Sequence, residues 1–386
     1  MDWQSLLREA RSLGASDVHL SAGEVPWLRV DGKMRRWVNP HSPASEQALE
    51  ARSLLELLDT LRPGIVGAQH PRKDLNAVAG AEAGAKANTE FAFKHLDFAV
   101  SLEGLGRFRI NAYVQARGPA MALRLISDTL PNLQTLQAPE CVASWGRHAH
   151  GLILMTGPTG SGKSTLLAAL LHDINQHCGR HLLTLEDPIE FEHTPLQSLI
   201  HQREVGRDTP DFESGLRAAL REDPDVILVG EMRDAATIRL ALTAAETGHL
   251  VLSTLHTASA PQAVDRLVDA FASHEKEAVR GLFAENLIAV LAQTLCPAKG
   301  GAGRVAAHEI MVGTPAVKNL IREGKVSQLY SLLQTGQAVG MQTLDQSLLH
   351  LYRAEKISAA TLQLLSKYPQ NLNLVDNLKP ERSATL

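Results

Sequence analysis

The chain is 386 residues long, with 44% apolar and 21% charged side chains, enough to fill a large core and consistent with two or three domains of about 150 residues. Its 38 basic and 42 acidic residues leave a net charge of −4, which excludes a global positive field for drawing in nucleic acid. Cys141, Cys178 and Cys296 form no CxxC pair, so neither a thiolate zinc site nor a disulfide framework is expected, and a reducing cytosol is the simplest compartment.

In chain order, the N-terminus MDWQSLLREARSLGASD is charged and amphipathic and lacks the apolar run of a signal peptide. It reads as a short helix carrying Trp3, Leu6 and Leu7. Strand-like pieces follow at 17–20 and 27–30, the second leading into Asp31-Gly32, a tight hairpin turn. Apolar spacing over 49–61 predicts a helix. The stretch 71–88, PRKDLNAVAGAEAGAKAN, is low in complexity and reads as a loop or frayed helix without chemistry. Strand patterns at 91–100, 107–114 and 120–126 complete an α+β N-terminal domain over 1–135.

The second domain is expected over 136–386, where from Gly151 short buried strands alternate with helices, the pattern of a parallel α/β sheet. Strands are predicted at 152–155, 181–185, 226–229 and 250–253. The longest apolar region, 282–296, is interrupted by Glu285 and Asn286 and falls short of the ~20 residues that span a bilayer, so a soluble protein is expected. From about residue 305 the chain is expected to be helical, with Val317, Leu320 and Ile321 on one face and Leu344, Leu348 and Leu351 on another.

Residues 157–164, GPTGSGKS, fit GxxxxGK[ST] without a gap, between an apolar strand and a helical pattern. Glycines let successive N–H groups turn toward phosphate oxygens, and the following helix adds its positive end. Gly157, Pro158, Thr159, Gly160, Ser161, Gly162, Lys163, Ser164 and Thr165 are therefore the candidate nucleotide cradle. Lys163 would reach the β- and γ-phosphates, and the Ser164 hydroxyl would ligate Mg²⁺.

A polar cluster follows each of the other three strands: Glu186-Asp187-Pro188, Gly230-Glu231, and Thr254 with His256. The C-terminal ends of parallel strands line one crevice, so Lys163, Glu186, Glu231 and His256 are expected around one γ-phosphate. Glu231, just past an apolar strand, is the candidate general base. Glu186 has two readings, orienting Mg²⁺ or the nucleophile, or simply ending a strand. His256 suits a γ-phosphate sensor. His249 lies at the opposite strand end, so the two cannot share a metal ion, and His148 and His150 read as surface. Among the arginines, Arg107, Arg109 and Arg124 fall on predicted strands and Arg217 and Arg221 on a helix; each is open between transition-state stabilisation and a surface ion pair.

Taken together these residues resemble the PilT-like secretion ATPases over nearly the whole chain, most of all the pilus-retraction members. GPTGSGKST at 157–165 resembles the family's Walker A, LEDPIEF at 185–191 its Asp box, DVILVGEMRD at 225–234 its Walker B, and AAETGHLVLSTLHT at 244–257 its His box. ASDVHLSAGEVPWLRVDG at 15–32 and GRFRINAY at 106–113 are similar to its PAS-like N-terminal domain. The resemblance implies a PAS-like α+β domain followed by a RecA-like P-loop ATPase domain with a helical C-terminus. It also implies ATP and Mg²⁺ as ligands and a homo-hexameric ring in which Glu231 is the catalytic glutamate and Arg109 and Arg124 contact phosphate. Hydrolysis would then drive pilus retraction and twitching motility through an inner-membrane platform protein, placing the chain in the cytoplasm at the inner membrane, with no nucleic acid involved. The family's AIRNLIRE box stands here as Ala316-Val317-Lys318-Asn319-Leu320-Ile321-Arg322-Glu323, departing at Val317 and Lys318. An accessory paralogue, a stand-alone secretion ATPase and a nucleic-acid motor remain the alternatives.

Overall fold

The computed structural model describes residues 2–30, 32–38, 48–62, 93–126, 129–301 and 303–372; the stretch 71–88, Asp31 and Phe91 lie outside them. Two compact units divide the chain, Met1–Thr129 and Leu130–Leu386.

In the first unit, α1 (Trp3–Ser12) starts where the Asp2 carboxylate accepts the Ser5 amide, satisfying one orphan donor of the first turn. Its Leu6, Leu7 and Ala10 recur at helical spacing and are buried. There follow β1 (Asp17–Ser21), β2 (Trp27–Val30), β3 (Lys33–Arg36), α2 (Ala51–Leu61), β4 (His95–Leu102), β5 (Gly106–Gln115) and β6 (Gly118–Leu125). The strands form one antiparallel sheet in the order β3-β2-β1-β6-β5-β4. Val30 pairs with Lys33, and Gly32 takes φ +77°, the positive value a two-residue hairpin turn requires. Side chains alternate between sheet faces. Val18, Leu123 and Ile110 are cross-strand partners that pack into one core with Leu54, Leu57 and Leu58 of α2. Their neighbours Asp17, Arg124 and Arg109 therefore share the other face. This is the α+β unit expected.

The second unit runs α3 (Cys141–Trp145), β7 (Gly151–Thr156), α4 (Lys163–His177), β8 (His181–Glu186), β9 (Leu199–Glu204), α5 (Phe212–Ala219), β10 (Val226–Val229), α6 (Ala235–Glu246), β11 (Leu250–Leu255), α7 (Ala260–Asp269) and α8 (Lys276–Asn286). Then come β12 (Leu287–Pro297), β13 (Arg304–Val312), α9 (Pro315–Arg322), α10 (Leu329–Thr335), α11 (Leu344–Arg353), α12 (Ala359–Leu365) and α13 (Pro369–Leu372). The sheet order is β13-β12-β7-β11-β10-β8-β9, parallel except for the antiparallel pair β12 and β13.

Both faces of this sheet are covered, which explains the unbroken apolar runs of its strands. Leu152 and Leu154 of β7 pack with helices α5 to α8, while Ile153 and Met155 pack with Leu166, Leu167, Leu170 and Ile174 of α4. Each such fully buried leucine or isoleucine stabilises the unit by about 1.5–3 kcal/mol. All four predicted parallel strands are present. The expectation of helix from about 305 is corrected: residues 304–312 form β13, and helix resumes only at Pro315. Pairing decided this, because β12 offers Ala289 to Pro297 as a full antiparallel partner. The apolar region that was too short for a membrane is the end of α8 and most of β12. No helix among the described residues is long and apolar enough to cross a membrane.

Candidate functional site

The phosphate loop joins β7 to α4 and is shaped by three glycines in the left-handed region, Gly157 at φ +145°, Gly160 at +78° and Gly162 at +88°. A Cβ on Gly157 would lie 2.4 Å from the Gln293 main-chain oxygen, and one on Gly162 would lie 2.7 Å from Gln293 Nε2. Glycine is thus required at both positions for space as well as for backbone angle. Gly162 is the N-cap of α4 and has no side chain to cap it, so the first-turn amides keep their capacity to donate to an anion. Ser161 Oγ is buried without a hydrogen-bond partner, while Ser164 is exposed at the first turn. An orphaned hydroxyl, bare amides and a reachable serine fit a phosphate with its Mg²⁺.

Lys163 is 93% enclosed, its residual exposure being 7%, and its ammonium donates to the main-chain oxygens of Gly157 at 2.8 Å and Pro158 at 3.0 Å. Burial pulls its pKa down, opposed by the negative charges of Glu190 and Glu231. The Lys163 turn is therefore electrostatically coupled to the strand end that carries Glu231.

Hydrogen bonds between adjacent strand ends set that geometry. The Gly230 amide donates to Leu185 O at 2.8 Å, and Gly230 O accepts from Thr254 Oγ1 at 2.5 Å, tying β8, β10 and β11 together. Thr156 Oγ1 donates to Thr257 O at 2.7 Å and accepts the Thr257 amide at 3.0 Å, tying the loop after β11 to the end of β7. Glu231 emerges from this lattice with its side chain 14% exposed. Its Oε2 lies 3.5 Å from His256 Nε2 and its Oε1 lies 2.5 Å from Arg233 Nη2.

The structure gathers Lys163, Glu231 and His256 and turns Glu186 elsewhere. Glu186 Oε1 accepts from Thr184 Oγ1 at 2.7 Å and from Gln202 Nε2 of β9 at 3.2 Å. Burial pushes its pKa up to about 7, against the opposing pull of the hydrogen bonds from Thr184 and Gln202. Near neutral pH this carboxyl is thus divided between acid and anion. His249 Nδ1 donates to Ala244 O at 2.9 Å, a packing role at the far end of β11. His148 and His150 are exposed, and the described residues hold no group of three or more His, Cys, Asp or Glu arranged for a metal ion.

Arg109 and Arg124 belong to the N-terminal unit, where they are direct cross-strand partners on β5 and β6. Like charges in that register repel. Carboxylates flank them: Asp97 accepts from Arg109 at 2.6 and 3.2 Å, and Asp17 accepts from Arg124 Nε at 3.0 Å. Burial works to raise Asp17, but the Ser16 hydroxyl and Arg124 hold it below the usual carboxylate range. Arg107 is buried and donates to Ser101 Oγ at 3.1 Å. Arg217 on the exposed side of α5 pairs with Glu213 at 2.6 Å; Arg221, expected on the same helix, falls in the turn just past its end, where it donates to Arg217 O.

Sequence reasoning missed Glu190, Arg233, Thr156 and Gln293 as members of the site. Gln293 left a trace as a polar amide in the apolar run 287–296; Glu190 and Arg233 lie inside the boxes at 185–191 and 225–234, where nothing in the pattern set them apart from their charged neighbours.

The type II/IV secretion system protein family matches residues 96–357. The chain is 47% identical over 371 residues to the type IV pilus retraction ATPase PilT of Pseudomonas aeruginosa, covering 96% of this chain and all of that one. It is 34% identical to the type IV pilus ATPase PilU of the same organism, over 100% of this chain and 94% of that one. A crystal structure of the pilus retraction motor PilT with bound ADP superposes with a TM-score of 0.79 at 38% identity, covering 96% of this chain and 98% of the other.

Proposed function

The chain belongs to the type II/IV secretion system protein family, and from that membership we propose that it is a pilus retraction ATPase, coupling ATP hydrolysis to withdrawal of a type IV pilus and so to twitching motility. The observation that carries this reading is the meeting of Lys163, Glu231 and His256 at the C-terminal strand ends, in a chain similar to a retraction ATPase over 96% of its length. The retraction reading is preferred to the accessory one because identity falls from 47% with PilT to 34% with PilU.

In the reaction, the glycine amides and α4 N-terminus hold the phosphates, and Lys163 exchanges its loop carbonyls for phosphate oxygens. The Ser164 hydroxyl would hold Mg²⁺, which neutralises charge developing on the transferred phosphoryl group. Glu231, with few water contacts, takes the proton of the attacking water, and His256 beside it reports whether the γ-phosphate is present. Arg109 and Arg124 would reach phosphate from a neighbouring subunit of a homo-hexameric ring, leaving their carboxylates to do so. The platform protein at the inner membrane would receive the motion, with the ring in the cytoplasm.

The test is an ATPase assay with and without Mg²⁺ on the purified ring, joined to complementation of a retraction-deficient strain. Hydrolysis with restored retraction supports the reading. Hydrolysis stimulated by single-stranded DNA, without restored retraction, would replace it with a nucleic-acid motor.

A further inference from the structure

Gln293 lies on β12 directly beneath the phosphate loop, with its main-chain oxygen under Gly157 and its amide nitrogen under Gly162. That nitrogen donates to Ser161 O at 2.6 Å in a buried setting. Its cross-strand partner is His308 of β13, whose Nε2 is 3.1 Å from Gln293 Oε1. A carbonyl oxygen only accepts, so His308 Nε2–H donates, and the reverse orientation of the amide would set oxygen against oxygen at Ser161. Burial lowers the His308 pKa to about 4, keeping the ring neutral. The His308 backbone is pinned as well, its amide donating to Ser347 Oγ at 3.0 Å and its oxygen accepting from Gln342 Nε2 at 2.8 Å. A directed chain of donors thus runs from the β13 edge, His308 to Gln293 to Ser161.

A trans peptide holds its C=O and N–H antiparallel. With Ser161 O drawn down onto Gln293, the Gly162 N–H of the same peptide must project to the opposite side, into the loop. We infer that Gln293, held in one orientation by His308, is a positioning residue for nucleotide, aiming the Gly162 amide at the phosphates. The inference deepens the phosphate-loop reading above and rests on it. Gln293 itself touches no substrate. Its loss weakens ground-state and transition-state binding alike, which raises KM and leaves kcat nearly unchanged.

The experiment compares full-length wild type, Lys163→Ala, Gln293→Leu, His308→Phe and His308→Gln by calorimetric titration with Mg-ADP, steady-state ATPase kinetics and thermal melting. Lys163→Ala tests the loop assignment itself: if it still binds Mg-ADP normally, that assignment fails whatever the other variants do. With that control lost as expected, Gln293→Leu should weaken Mg-ADP binding and raise KM by about tenfold, with kcat within about threefold. His308→Phe should show part of the same rise, and His308→Gln, which keeps an N–H donor for Gln293, should restore it. Lowered melting temperatures with unchanged Mg-ADP affinity would make the pair a purely structural contact and overturn the inference. Should Gln293→Leu fail to fold, equal KM values in His308→Phe and His308→Gln would overturn it just as well.

Discussion

Glu231 Oε2 and His256 Nε2 stand 3.5 Å apart at the ends of neighbouring parallel strands, although 25 residues of chain separate them. The strand register makes this contact, since Val229 aligns with Ser253 and each functional side chain follows shortly after its strand. Glu231→Gln keeps the shape and removes the proposed base. Turnover should fall by about 10²–10⁴-fold while ATP stays bound, measured by single-turnover hydrolysis beside equilibrium binding. Near-normal turnover would move the role to another carboxylate.

Arg233 shares Glu231 with His256, pairing with Oε1 at 2.5 Å from a side chain that is 73% exposed while His256 faces Oε2. An ion pair so open to solvent is weak and screened by salt. Arg233→Ala should leave the melting temperature within about 2 °C of wild type and make turnover less sensitive to ionic strength between about 50 and 200 mM salt, the range over which the Debye length halves. An unchanged salt profile would show that the pair does not modulate the base.

The burial-raised pKa of Glu186, about 7 against an ordinary 4.5, gives a signed pH dependence. Between those values the folded chain holds a proton that the unfolded chain has released, so stability declines as pH rises through the window. Glu186→Gln has no proton to lose. Its melting temperature should fall less than that of wild type between pH 5 and pH 8, and parallel curves would contradict the burial of this carboxyl.

Arg109→Ala and Arg124→Ala should reduce turnover by about tenfold or more if they stabilise transition-state charge, with folding little changed because both ion pairs are partly solvent-exposed. Mixing either variant with Lys163→Ala subunits should recover activity, since intact arginines would then face intact loops. Absence of recovery at every mixing ratio would exclude action between subunits.

The four parallel strands and the phosphate loop were legible because burial on both faces writes uninterrupted apolar runs, and the loop's glycines have no alternative. β13 was not, because His308 and Glu309 break its apolar character in mid-strand: one supports Gln293, and the other accepts the Ala260 amide at the start of α7 at 2.8 Å. β9 was hidden for a different reason. Its sequence, LIHQRE, is polar because it lies at the sheet margin. The Glu186 side chain was expected at the γ-phosphate because its strand ends there; the direction it takes, toward Gln202, depends on a strand that the pattern did not announce.

The two margins of the large sheet differ in kind. At one, Ile310 of β13 exchanges both main-chain hydrogen bonds with Gln342, at 2.7 and 3.1 Å, so that position has no spare valence for a foreign strand. The other is β9, paired with β8 alone among the described residues and bordered by Leu196 and Leu199, which are 56% and 52% exposed. Templated aggregation of this unit would therefore begin at β9. Arg203, bound to Glu222 at 2.8 Å, and the adjoining Arg207–Asp208 pair at 2.7 Å act as gatekeepers there, because an incoming strand must strip water from them first.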